Sequence, residues 1–216
     1  MTPIRQPLDD QSGPPQDYFA ARLASVPVVA ILRGLEPDPT VQLATACWRS
    51  GIELVEVPAQ GAAGLRSLEA AAEAARELGA TVGAGTVYTA DHAAQVRDAG
   101  AGFLVSPGLD EGTARFAADN ELPYLPGVST PTEVQAALAL GLHTVKLFPA
   151  GAMGTLWLSA LKGPFPTVRF VAVGGVSPEN AQTYLDHGAC GVGIGGALSD
   201  PRAIEKAARL APPSRP

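Results

Sequence analysis

Lys146 and Glu56 are the two side chains in this sequence whose type and setting suit covalent chemistry. Lys146 stands in HTVKLFP, a run that begins at His143, and Glu56 stands in LVEVP, which begins at Leu54. Both runs read as β-strands, in which successive side chains alternate between two faces. The alternation groups Thr144, Lys146 and Phe148 against Val145 and Leu147, and groups Leu54 and Glu56 against Val55 and Val57. A lysine with its ordinary pKa of about 10.4 is a poor nucleophile at neutral pH, but an apolar setting disfavours the ammonium and frees the amine. Such an amine can attack a ketone carbonyl to give an iminium ion, an electron sink for making or breaking the adjacent carbon–carbon bond. A nearby carboxylate must then move the protons, and Glu56 is the candidate general acid/base. The competing reading is a buried Lys146–Glu56 ion pair that only holds the strands together, a weak stabiliser compared with apolar packing. The other lysines are Lys162, beside a helix stop, and Lys206, in the last helical stretch. They read as solvated charges, as does Glu53 ahead of Glu56.

The elements that must position these residues recur along the whole chain. Eight short β-type runs start at Val26, Leu54, Thr81, Phe103, Leu122, His143, Val168 and Cys190, separated by Ala-rich amphipathic stretches such as SLEAAAEAARELG and PTEVQAALALG. Several runs are apolar on both faces, as expected of parallel strands with helices outside and packed side chains inside. Gly51, Gly79, Gly100, Asn120, Gly141, Gly163 and Gly188 precede strands as helix stops, spaced by one βα unit. Asp38-Pro39, Thr130-Pro131 and Ser177-Pro178 each put a capping side chain before a proline at the first helical position, and Glu133 completes a capping box with Thr130. Eight units without a composition break predict an α/β fold, a single (β/α)8 TIM barrel rather than an open doubly wound sheet. An extra N-terminal helix around Pro15 to Ser25 is expected to close the barrel bottom. The barrel domain is expected over residues 17–210, with a disordered tail at 1–16 and a loose tail at 211–216.

In such a barrel the site lies at the C-terminal ends of the strands. Parity then points Lys146 and Glu56 inward, with Arg33 after the first run, Thr86 closing the third, and Ser106 and Pro107 ending the fourth. Gly174-Gly175 and Gly195-Gly196 follow the seventh and eighth runs, in the two loops that commonly cradle phosphate. Glycine there lets backbone N–H groups approach an anion, although tight turns explain either pair taken alone. Val173 is inward by parity with Val171 and sits beside the first pair.

Composition narrows the function classes. A chain of 216 residues, 46% hydrophobic and 17% charged, fits one soluble globular domain. Its net charge of −6 argues against nucleic acid and anionic lipid, so a bound phosphate needs a local site. No apolar run reaches the roughly 18 residues of a membrane span, and residues 1–16 lack the apolar segment of a secretory signal. Cys47 and Cys190 form neither a CxxC motif nor a disulfide framework and read as a reduced pair, which points to a cytoplasmic setting. His92, His143 and His187 have no metal-ligand spacing, and no GxSxG elbow is present, so neither a metal site nor serine-hydrolase chemistry is expected. Trp48 and Trp157 read as packing residues.

These motifs resemble the bacterial family of 2-keto-3-deoxy-6-phosphogluconate aldolases, which also includes 4-hydroxy-2-oxoglutarate and 2-keto-3-deoxy-6-phosphogalactonate aldolases. VEVP with Glu56, GAGTV with Thr86, SPGL with Pro107, the PG-S-T segment near Gly127, VKLFPA with Lys146 and VGG-SPEN with Gly174-Gly175 occur in the family's order between Val26 and Leu198. The resemblance implies a Schiff-base lysine at Lys146, a proton shuttle at Glu56, a pyruvyl carboxylate contact at Thr86, and pocket walls at Pro107 and Phe148. It implies a homotrimer acting without metal or cofactor on a small-molecule 2-keto acid or phosphorylated sugar acid. Two positions depart from the gluconate pattern. Gln60 replaces an arginine, leaving Arg33 as the cationic contact, and Ala197 replaces a serine after the last glycine pair. AILRG before Leu35 and Val173 before the first pair resemble the galactonate branch; the gluconate branch has Thr at the Val173 position, near the hydroxyl that distinguishes the two sugars. From the residues alone, two other readings stay open. One is a phosphosugar isomerase or epimerase in which Lys146 and Glu56 only exchange protons, and the other is a non-catalytic barrel that binds a phosphorylated ligand.

Overall fold

The computed structural model describes residues 17–212. The tail expected at residues 1–16, and residues 213–216 of the C-terminal one, lie outside the described residues.

The chain forms strands β1 (Val28–Ile31), β2 (Leu54–Pro58), β3 (Val82–Gly85), β4 (Leu104–Val105), β5 (Tyr124–Leu125), β6 (Gly127–Val128), β7 (Thr144–Leu147), β8 (Arg169–Val173) and β9 (Gly191–Ile194). They are parallel and ordered β5-β4-β3-β2-β1-β9-β8-β7-β6. The fold is the expected TIM-like barrel with helices outside, and its fifth strand is divided, a detail the sequence reading does not contain. Pro126 separates β5 from β6 because it has no N–H to give to a ladder. β5 pairs with β4 while β6 pairs with β7, so one interrupted run closes the circle. The Lys146 N–H donates to the Pro126 carbonyl at 2.8 Å, and the Gly127 N–H donates to the Gly108 carbonyl at 3.2 Å.

The helices are α1 (Asp17–Arg22), α2 (Pro37–Arg49), α3 (Gly61–Leu78), α4 (Ala90–Asp98), α5 (Glu111–Asp119), α6 (Pro131–Ala139), α7 (Ala150–Lys162), α8 (Ala181–Asp186) and α9 (Pro201–Ala208). The capping box of Thr130 and Glu133 starts α6 as expected. Two other starts differ. α2 begins at Pro37 behind Glu36, so Asp38 lies inside its first turn. α8 begins only at Ala181, because Asn180 accepts from the Ser177 N–H (2.9 Å) and donates to the Gly175 carbonyl (3.0 Å), closing a separate turn first. Among the helix stops, the positive φ expected near Asn120 falls on Glu121 (54°), and Gly163 is right-handed (φ −55°). None of the helices among the described residues is long and apolar enough to cross a membrane.

Strand alternation divides the core in two. Val55, Val57, Val145, Leu147 and Ala172 pack outward against the helices. Val29, Ile31, Leu54, Phe103, Val105, Leu125, Val171 and Val173 form a separate inner cluster. At the N-terminal end, α1 lays Phe19, and the turn after it lays Leu23, on that inner cluster, with the Phe19 and Phe103 rings edge-to-face at 5.7 Å. Burying a phenylalanine in this way is worth about 1.5–3 kcal/mol, so the short helix is held as a plug and leaves the opposite end as the open one.

Candidate active site

Lys146 and Glu56 both face the barrel interior, as parity predicts, and they are 4% and 1% exposed. Lys146 lies on β7 between Gly127 of β6 and Val171 of β8. Its Nζ sits 5.0 Å from the centroid of the Phe148 ring. Glu56 lies on β2, and its carboxylate occupies a notch that exists only because residue 85 is glycine. A Cβ at Gly85 would fall 1.9 Å from the Glu56 Oε1. A glycine inside a strand marks such a close approach, and the second glycine of GAGTV was a signal in the sequence that parity alone does not use.

Burial is the largest cause of the pKa shift at both groups. Removing Glu56 from water penalises its carboxylate and raises its pKa, against smaller opposing pulls from Lys146 and Arg33. The same desolvation lowers the pKa of Lys146; Glu56 opposes that shift and Arg33 adds to it. No N···O contact of 4.0 Å or less joins the two residues, so each acts on the other's charge without forming an ion pair. Glu56 Oε1 has no hydrogen-bond partner in the interior. An amine biased toward its neutral form and a carboxyl with an unpartnered oxygen, both buried inside the barrel, suit nucleophilic attack on a carbonyl followed by local proton transfer.

The other expected residues gather around this pair to different degrees. Arg33 is exposed at the end of β1 and donates from Nη1 to Oε1 of Gln60 at 3.0 Å, a contact the sequence reading does not contain. Thr86, just past β3, holds φ at +60°, a strained setting for a β-branched residue, and strain of this kind collects at functional sites. Pro107 is exposed at the rim and presses on β6: a Cβ at Gly127 would meet its carbonyl oxygen at 2.1 Å. Phe148 packs with the inner cluster beside Lys146, and Val173 lies buried in that cluster. Gly174 and Gly175 have positive φ (91° and 77°), and a Cβ on Gly174 would lie 2.9 Å from the Phe148 ring, so the first glycine pair adjoins the lysine's face. Gly195 and Gly196 stand over the end of β1, where a Cβ at Gly195 would come no nearer than 3.8 Å to Ile31. Ser129 links two neighbouring loops: its hydroxyl donates to the Phe148 carbonyl (2.5 Å) and its carbonyl accepts from the Trp157 indole (2.7 Å). Sequence reasoning gave Ser129 no role of its own.

Among the described residues, no three His, Cys, Asp or Glu side chains group closely enough to hold a metal ion. Cys47 and Cys190 are free thiols, each pushed up to about 12 by burial, so neither is a nucleophile at neutral pH.

The family described as KDPG and KHG aldolase matches residues 19–210, which takes in every strand and outer helix named above up to α9. The chain belongs to the KDPG and KHG aldolase family. It is similar to the probable 2-dehydro-3-deoxy-6-phosphogalactonate aldolase of Rhizobium meliloti (36% identity over 81% of this chain and 82% of that one). It is equally similar to the KHG/KDPG aldolase of Escherichia coli K12 (37% identity over 76% of each chain). A solved KDPG aldolase of Legionella pneumophila, with pyruvate captured at low pH as a covalent carbinolamine intermediate, superposes with a TM-score of 0.77 at 29% identity, covering 89% of this chain and 95% of that one. Membership in the family makes the chain an aldolase, and so a lyase.

Proposed function

We propose that the chain cleaves 2-keto-3-deoxy-6-phosphogluconate or its galactonate epimer to pyruvate and glyceraldehyde 3-phosphate, and 4-hydroxy-2-oxoglutarate to pyruvate and glyoxylate. The reaction is reversible and runs through a Schiff base on Lys146, without metal or other cofactor. The observation that carries this reading is the buried Lys146 amine, its pKa lowered by desolvation, close enough to the buried Glu56 carboxyl, whose Oε1 is unpartnered, for each to act on the other. The carbinolamine trapped in the Legionella relative supports the same chemistry for that protein.

The neutral Nζ attacks the 2-keto carbon, and the carbinolamine loses water to give the iminium ion. Glu56 as carboxylate takes the proton of the 4-hydroxyl. The bond between the third and fourth carbons then breaks; its electrons pass to the iminium as an enamine, and the aldehyde departs. Glu56 returns its proton to the enamine terminus, and water hydrolyses the resulting iminium to free pyruvate and the amine. Arg33 and Thr86 hold the pyruvyl carboxylate, Pro107 and Phe148 wall the pocket, and Gly174-Gly175 with Gly195-Gly196 offer backbone N–H groups to a phosphate. Val173 faces the middle of the sugar chain. Two free thiols, one buried and one half-buried, suit a reducing cytoplasm, and the homotrimer follows the family resemblance.

Borohydride reduction in the presence of pyruvate, followed by mass spectrometry, tests the assignment. A pyruvyl label is expected on Lys146, and Lys146→Ala is expected to fold but to show neither label nor turnover. Label on Lys162 or Lys206, or none, refutes the Schiff base and returns the isomerase reading, in which protons move but no covalent adduct forms.

A further inference from the structure

Arg33 and Gln60 meet across two loops at the open end of the barrel. Arg33 follows β1, and Gln60 is the residue immediately before α3; the guanidinium donates to the amide oxygen at 3.0 Å. Both side chains are exposed. An exposed arginine without a partner samples many rotamers, so the question is what fixes this one.

The glutamine stands on a fixed platform. Ala59, directly before it, is 2% exposed, gives its N–H to the Gly85 carbonyl (3.1 Å) and meets the His92 ring Nε2 with its own carbonyl (3.0 Å). Directly after it, Gly61 takes φ +65° to turn the chain into α3. One turn further, a Cβ on Gly64 would lie 2.7 Å from the Pro58 carbonyl oxygen, so the helix is pressed onto the loop that carries Gln60. Arg33 and Gln60 border a cavity of about 200 Å³ lined also by Leu32, Leu35, Val57 and Ser67. An Arg33 released from the amide has room to turn into it. Held as it is, the guanidinium is near enough for its charge to act on both Glu56 and Lys146.

We propose that Gln60 is a positioning residue: its amide oxygen holds the Arg33 guanidinium over the barrel mouth, where it receives the carboxylate of the 2-keto acid, and Gln60 itself touches no substrate. This rests on the aldolase reading above. The experiment measures the rate of borohydride-trapped label on Lys146 against pyruvate concentration and pH, for the unmodified chain, Gln60→Met, Arg33→Met and the double variant. Gln60→Met keeps the length and removes the acceptor, so the pyruvate concentration for half-maximal trapping should rise about fivefold, the scale of one net hydrogen bond. Arg33→Met should raise it at least as much, and adding Gln60→Met to Arg33→Met should cost nothing more, because a residue acting only through its partner is silent once the partner is gone. In Gln60→Met the pH of half-maximal trapping should also move upward, since the ammonium of Lys146 loses a nearby cation. If Gln60→Met fails to fold, Gln60→Ser, a good residue for the start of a helix, carries the same expectations. Losses that multiply in the double variant, or an unchanged half-saturation in Gln60→Met, overturn the proposal while a label on Lys146 in the unmodified chain leaves the aldolase reading standing. No label in the unmodified chain overturns both.

Discussion

Gly85→Ala adds a single methyl group, and the position of that methyl gives a sharp expectation. Built on the observed backbone, it lies 1.9 Å from Oε1 of Glu56, 2.5 Å from Cδ and 2.7 Å from Cγ. Ordinary carbon contacts are about 3.5–4.0 Å, so the carboxyl must move by roughly 1 Å or more. Glu56 is 1% exposed and has no solvent to move into. Overpacking of this kind costs about 1–3 kcal/mol, and at about 2–4 °C per kcal/mol for a chain of this size the variant should melt several degrees lower but still fold. The displacement acts on catalysis more than on stability: a misplacement of about 1 Å costs on the order of 100-fold, the low end of the range for losing a general acid/base altogether. Deuterium exchange into the methyl group of pyruvate, followed by proton NMR at saturating pyruvate, should therefore fall about 100-fold, whereas borohydride trapping on Lys146 should fall less than about tenfold. In a Glu56→Gln background the same methyl should lower the melting temperature again without slowing exchange further, because the base is already lost. Exchange within about threefold of the unmodified chain would refute the notch as the device that positions the carboxyl.

Glu56→Gln should itself be stabilising at neutral pH. Burial raises the folded-state pKa of Glu56 above its unfolded value, so stability is fullest below the unfolded pKa and declines as pH rises through the folded one. The melting-temperature gain of the glutamine variant should thus be present at pH 8 and should vanish toward pH 4; a gain that grows on acidification would reverse the assigned direction. Val173→Thr places a hydroxyl on the inner wall beside Gly193. It should raise the ratio of gluconate to galactonate kcat/KM about tenfold, or roughly 1.4 kcal/mol of differential transition-state binding. A ratio that stays the same or falls in steady-state assays with both epimers would mean that Val173 does not face the distinguishing hydroxyl. Phe19→Ala empties the plug under the barrel and should cost about 3–5 kcal/mol in urea unfolding, with the half-saturation for pyruvate trapping on Lys146 unchanged; a shift in that value would mean the two ends of the barrel communicate.

The parts of this molecule legible in the sequence are those governed by a period. Alternation along HTVKLFP and LVEVP sends Lys146 and Glu56 inward and Val55 and Leu147 outward, and the structure has the same arrangement. The repeat of helix stops gave the eight units, because each βα unit must end its helix before the next strand. What escaped depends on one residue's missing atoms or on contacts between distant loops. The break in the fifth strand follows from the absent N–H of Pro126, which reads in sequence as an ordinary loop proline. The delayed start of α8 accompanies an Asn180 side chain that folds back onto Ser177 and Gly175, while the Ser177 hydroxyl accepts from the Glu179 N–H. The Arg33–Gln60 contact joins residues that follow different strands, and no local pattern announces which long polar side chain will reach which.

The break at Pro126 also turns one backbone proton into a gauge. Where the barrel closes, the ladder between β6 and β7 includes the bond from the Lys146 N–H to the Pro126 carbonyl, so separating these strands exposes that amide to solvent. Its hydrogen-exchange protection therefore measures the free energy of opening the wall at one of its two-residue strands. The side chain of the same residue is the one assigned the covalent bond to substrate. A single amide resonance, followed with and without pyruvate, would register both how tightly the ring is shut and whether the amine beyond it is occupied, and comparing the two would tell how far filling the pocket tightens the wall that surrounds it.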